Sequence, residues 1–147
     1  MFLDSKIHHN NLLNNILAKI EANYANADAG IMLDKDGFVA EANGVNLFCV
    51  RNGEVLTPHA HACLPGITRA HVLEIAKKIN LPCREVNLSI TEFYTADEVF
   101  TTGTMGELTK VSEIDGRKII NRQGFSRLEE IANVFKKMTE QEGTVIG

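Results

Sequence analysis

The chain has 147 residues, 44% of them hydrophobic and 23% charged, with a formal net charge of -4. That length and balance fit one globular domain with its own core and exclude a disordered tail or a membrane-spanning bundle; the mild acidity, without any basic run, speaks against nucleic acid as a partner. Cys49, Cys63 and Cys83 are widely spaced with no C-x-x-C pair, and with no basic region ahead of Asp4 to suggest a signal peptide, the expectation is a cytoplasmic protein with reduced thiols.

A first helix is expected where Leu13, Ile16, Leu17, Ile20 and Tyr24 recur at helical spacing, with Asn10 or Asn11 able to cap its start. Three Asx-Gly pairs follow, Asp36-Gly37, Asn52-Gly53 and Asp115-Gly116. Each tolerates positive φ between apolar or alternating runs and so marks a hairpin. The strands expected around them are Gly30–Asp34, Phe38–Asn43, Leu47–Arg51 and Glu54–Thr57, then Cys83–Leu88, Glu98–Thr102, Glu107–Glu113 and Arg117–Ile119. A second helix follows Leu64-Pro65-Gly66, its apolar stripe being Ile67, Val72, Leu73, Ala76 and Ile79, with Lys77 and Lys78 in the last turn. Ser126 with Glu129 reads as a capping box opening a third helix, and Glu140 to Gly147 read as a tail. Strands and helices alternate while hairpins are frequent, which predicts an α/β fold with a mixed sheet and flanking helices, all in a single domain over residues 1–147.

Four stretches carry candidate chemistry. Glu41 sits among apolar and small residues in Gly37-Phe-Val-Ala-Glu-Ala-Asn-Gly-Val-Asn-Leu-Phe48. Either it is solvated on an outer face, or it is buried and meets a cationic or hydrogen-bonding group, such as a ligand's positive nitrogen. Gly66-Ile67-Thr68 opens a helix, where backbone N–H groups and the helix dipole favour an anion; the plain alternative is a loop-to-helix junction. Thr101-Thr102-Gly103-Thr104-Met105-Gly106-Glu107 is a threonine-rich turn after a strand that lets backbone approach a ligand and could complete a phosphate cradle. His59, His61 and Cys63 would share a face if extended, but no fourth ligand is apparent and no metal site is expected.

Taken in register, Gly37 to Phe48, Leu64-Pro-Gly-Ile-Thr-Arg69 and Glu92-Phe-Tyr-Thr-Ala-Asp-Glu-Val-Phe-Thr-Thr-Gly-Thr104 resemble the class IV aminotransferases. These are the fold-type IV pyridoxal-phosphate enzymes, which include branched-chain and D-amino-acid aminotransferases and aminodeoxychorismate lyase. The resemblance runs from about Lys6 to Ile120 and covers the family's large C-terminal domain, a mixed α/β fold partly curled into a barrel; the small N-terminal domain is absent from the match. It implies pyridoxal 5'-phosphate as cofactor and an amino acid and a 2-oxo acid as substrates, with no nucleic acid or membrane partner. Apolar surface left uncovered by the missing domain implies a homodimer.

By position, the resemblance assigns Glu41 to the pyridine nitrogen, Gly66, Ile67, Thr68 and Thr104 to the phosphate, and the Met105 backbone to the substrate carboxylate. Two places depart: Gly124-Phe-Ser-Arg127 replaces the Gly-Pro-containing run usual in the family before the last helix, and the lysine position differs. The family's Schiff-base lysine aligns with His8, whereas Lys6 lies two residues earlier, with its Cα roughly 6.5 Å away in an extended segment. The lysine role is therefore vacant or taken by Lys6. Three readings stay open at this point: an aminotransferase lacking its usual lysine, a non-catalytic binding protein on the same fold, or a lyase of the aminodeoxychorismate type.

Overall fold

The computed structural model describes residues 30–42, 45–59, 66–102 and 108–146, with side chains through Met138. The expected first helix lies outside the described residues, as do Lys6, His8, His61, Cys63, Thr104 and Met105. The elements in order are β1 (Ile31–Leu33), β2 (Val39–Ala42), β3 (Asn46–Arg51), β4 (Glu54–Thr57), α1 (Ile67–Lys78), β5 (Cys83–Glu85) and α2 (Ile90–Tyr94). They continue with β6 (Glu98–Thr102), β7 (Leu108–Lys110), β8 (Glu113–Ile114), β9 (Arg117–Lys118) and α3 (Arg127–Ile146).

The main sheet has five strands in the order β5-β4-β3-β6-β7, and β1-β2 and β8-β9 form two-stranded ladders. Its pairs are antiparallel except β4-β5, which is parallel because α1 carries the chain across between them. The hairpin reading holds in detail. Asn52 and Gly53 take φ of 51° and 81° between Arg51 and Glu54, which pair, and Asp115 and Gly116 take 51° and 77° between Ile114 and Arg117. Two successive residues at positive φ give the tight turn whose twist matches the strands on either side.

Alternation along β3 and β6 sorts the core into two. Phe48, Val50 and Phe100 face Val72 and Ile75 of α1 and Leu128 and Ile131 of α3. Phe48 and Phe100 are opposed across the ladder and stack at 5.0 Å between ring centroids. Leu47, Cys49 and Val99 point the other way, into a cluster with Val39, Ala42, Leu88 and Phe93. Burying each of these large side chains stabilises the fold by roughly 1.5–3 kcal/mol, so both faces are closed by packing and not by staples.

Four boundaries differ from the sequence expectation, each for a local reason. The strand expected over Glu107–Glu113 is two short strands, since Ile119 N–H reaches back to the Ser112 carbonyl and starts a separate hairpin. The strand expected from Cys83 to Leu88 ends at Glu85; beyond it the Leu88 carbonyl accepts from Val39 N–H of β2 instead of continuing along β4. A short helix, α2, stands where none was expected, and its signal was legible, because Ser89 and Glu92 form a reciprocal capping box. The expected tail is helical to Ile146, the run Lys-Met-Thr-Glu-Gln-Glu offering no breaker before Gly143.

Candidate functional site

One end of the sheet gathers the sequence candidates. β4 runs toward it and α1 begins beyond it; β3 starts there with Asn46 and β6 finishes there with Thr102, the two being register partners. The Ala42 and Val45 backbones bond to each other at 2.9 and 2.8 Å, turning the chain from β2 into β3 and setting Glu41 just ahead of Asn46. Ligands in open α/β sheets bind at this kind of place, beyond the strand ends where a crossover helix begins.

Glu41 is 0% exposed in a strand whose four residues are all buried. That removes the solvated-face reading: a carboxylate taken out of water needs an electrostatic partner. Thr68 is 7% exposed, whereas Ile67 beside it is 80% exposed. Gly66, the residue ahead of α1, is extended at φ -107° and ψ 148°, and the helix begins with no side-chain cap and no acidic residue in its first turn. The Gly66 carbonyl accepts from Ala70 N–H at 3.0 Å, so the helical ladder starts immediately. A helix start of this kind directs its first N–H groups and positive dipole end outward.

Glycine at position 66 is required for room, not for conformation. A Cβ there would come within 2.5 Å of Asn46 Oδ1, well inside ordinary contact. Asn46 is 5% exposed and so packs against the helix start from the sheet side. Arg69, 5% exposed, fixes the same turn from below: its Nη2 donates to the Pro58 carbonyl at 2.9 Å and to Glu85 Oε1 at 2.8 Å. Thr57 Oγ1 donates to the Leu47 carbonyl at 2.7 Å, locking the end of β4 onto β3. The sequence motifs included Arg69 without giving it a part, and Asn46 passed unremarked; its signal was its place in the strand alternation, on the face of Phe48.

Other chemistries find no support among the described residues. No group of three or more His, Cys, Asp or Glu side chains could hold a metal there. Burial pushes the Cys49 thiol up to about 12 and that of Cys83 to about 11, so neither supplies thiolate near neutrality. No helix of the described residues is long and apolar enough to cross a membrane.

The structure thus describes a buried carboxylate at Glu41 and, at Gly66, a helix start with no side-chain bond at its N-cap. The family model for amino-transferase class IV matches residues 1–114. The chain belongs to the class IV aminotransferases. It is 58% identical over 144 residues to branched-chain-amino-acid aminotransferase-like protein 2 of Arabidopsis thaliana, a match covering 98% of this chain and 26% of that protein. The crystal structure of the branched-chain aminotransferase of Thermoproteus uzoniensis with norvaline superposes with a TM-score of 0.79 at 38% identity, over 86% of this chain and 42% of that one. The branched-chain aminotransferase of Thermobaculum terrenum in its PLP-form gives a TM-score of 0.84 at 30% identity, over 92% and 45%. The class IV aminotransferase fold is thus shared, and the chain spans less than half the length of these relatives.

Proposed function

We propose that this chain is the cofactor-binding part of a pyridoxal-phosphate-dependent aminotransferase acting on an amino acid and a 2-oxo acid. The observation that carries the reading is the complete burial of Glu41 in a chain of this family. Pyridoxal phosphate, when bound, supplies a conjugated electron sink for amino-group transfer. Glu41 would hold a proton at the pyridine nitrogen, since an adjacent carboxylate favours the cationic ring. The Ile67 and Thr68 N–H groups and the Thr68 hydroxyl would bind the phosphate, with Gly66 letting Asn46 of β3 pack closely against the helix start. Thr104 joins this set, and Met105 the substrate carboxylate, on the sequence match alone.

The cradle is tested by titrating inorganic phosphate and pyridoxal phosphate into wild type and the Thr68→Val, Thr104→Val double variant. Losing two hydroxyl bonds to an anion is expected to weaken both ligands by about tenfold or more. Unchanged affinity would remove the cradle.

The attachment residue is the second part of the reading. Covalent attachment requires a primary amine able to lose its proton, which imidazole at His8 does not provide. Wild type titrated with pyridoxal phosphate is therefore expected to show no visible absorbance band that borohydride then fixes to the protein, while His8→Lys shows one. A wild-type band of this kind that Lys6→Ala abolishes would instead make Lys6 the attachment residue.

A further inference from the structure

We propose that the Thr102 hydroxyl is a further phosphate-binding group at the start of α1, where the family match assigns only Thr104 of the threonine-rich stretch; the proposal rests on the reading of that helix start as the cofactor's phosphate site. Thr102 is 3% exposed, and its Oγ1 is a buried polar atom with no hydrogen-bond partner among the described residues. It stands directly across the β3-β6 ladder from Asn46, and opposed residues of an antiparallel pair project from the same face. Asn46 shows where that face leads. Its Oδ1 lies against Gly66, 2.5 Å from where a Cβ on that residue would stand.

The Thr102 hydroxyl is thus carried by the sheet toward a helix start whose N-cap residue is glycine and makes no side-chain cap bond. A buried hydroxyl without a partner disfavours the ligand-free fold, and such groups are rare unless something else supplies the missing bond. An anion on the first turn of α1 would supply it, accepting from the hydroxyl and from the helix N–H groups together. The other threonines of this region differ: the Thr57 hydroxyl is spent on the Leu47 carbonyl, and Thr101 sits on the opposite face of β6, paired with Leu47.

The test uses the 147-residue chain, calorimetric titration with inorganic phosphate and with pyridoxal phosphate, and thermal unfolding of the ligand-free protein. Thr102→Val keeps the side-chain shape and removes only the hydroxyl. It is expected to weaken both ligands about 5- to 10-fold while leaving the ligand-free Tm unchanged or raised, because the group removed has no partner among the described residues. Thr102→Ser should restore affinity. Wild-type affinity in Thr102→Val overturns the proposal and leaves the rest of the cradle standing. A ligand-free Tm that falls in Thr102→Val and recovers in Thr102→Ser also overturns it, since the hydroxyl would then serve the fold. Failure of wild type to bind either ligand removes the phosphate site itself, and Thr102 with it.

Discussion

Two helices begin on the same face of the sheet, over opposite ends of β6, and they are finished in opposite ways. At the start of α3 the protein supplies its own anion. Glu98, 4% exposed, accepts from Arg127 N–H at 2.9 Å, from Leu128 N–H at 3.4 Å and from the Ser126 hydroxyl, while Glu129 N–H donates to Ser126 Oγ at 3.1 Å. Roughly 13 Å along the strand, Thr102 presents only a hydroxyl to the start of α1, where glycine stands in place of a capping residue. Both helix starts present N–H groups that need acceptors. One is filled from within and belongs to the fold. The other opens on glycine, with no side-chain bond at its N-cap, and is the end that the proposed phosphate site would use; on that proposal the contrast separates a structural helix end from a binding one more clearly than the presence of glycine does.

The largest effect expected from breaking the contrast is at the filled end. Glu98→Ala strips the acceptor from one buried N–H group, one part-buried N–H group and a hydroxyl at once, and the expected loss of stability is about 3 kcal/mol. Glu98→Gln keeps the volume and an amide oxygen, so roughly 1–2 kcal/mol should be lost. Urea unfolding measures both. Phosphate affinity should not change in either variant, because the carboxylate acts at the other end of β6. A stability change no larger than that of an exposed substitution, or a loss of phosphate binding equal to that of the Thr68 variants, would collapse the distinction between the two ends.

The two ends were also unequally legible in the sequence. Gly66, Ile67 and Thr68 lie side by side in a recognisable motif, and Glu41 drew notice as a carboxylate in an apolar run. Ser126 was read correctly as the residue that opens α3, and its bond from Glu129 N–H is there. What the sequence could not announce was Glu98, whose bonds to Ser126 and Arg127 span separations of 28 and 29 positions. Asn46 and Thr102 are of the same kind. They become neighbours only through the antiparallel register of β3 and β6, and strand pairing leaves no local mark on either partner. The mixed sheet itself was foreseeable from hairpin signals alternating with helical stripes, whereas the place where β7 gives way to β8 depends on a single backbone bond to Ser112.

The smaller and more discriminating effect is at the open end. Gly66 has an ordinary φ of -107°, so Gly66→Ala introduces no backbone strain and tests space alone. Its Cβ would meet Asn46 Oδ1 at 2.5 Å, while the next contacts, Asn46 Cγ at 3.7 Å and Arg69 Cβ at 3.8 Å, are comfortable. One atom of one side chain therefore carries the whole conflict. Asn46 is 5% exposed and has little freedom to yield, so a loss of about 1–2 kcal/mol is expected from overpacking. The sharper measurement is the double-mutant cycle with Asn46→Ala. Removing the Asn46 amide should relieve the clash, so that the pair of substitutions costs less than the sum of the two single ones by more than the roughly 0.3–0.5 kcal/mol within which independent sites add. Phosphate titration of the same set then separates room from contact. If Asn46 only bounds the space beside Gly66, the double variant regains part of the affinity that Gly66→Ala loses. Strict additivity in stability would mean that the two residues do not press on each other, and the close fit of β3 against the start of α1 would no longer explain why that helix begins with glycine.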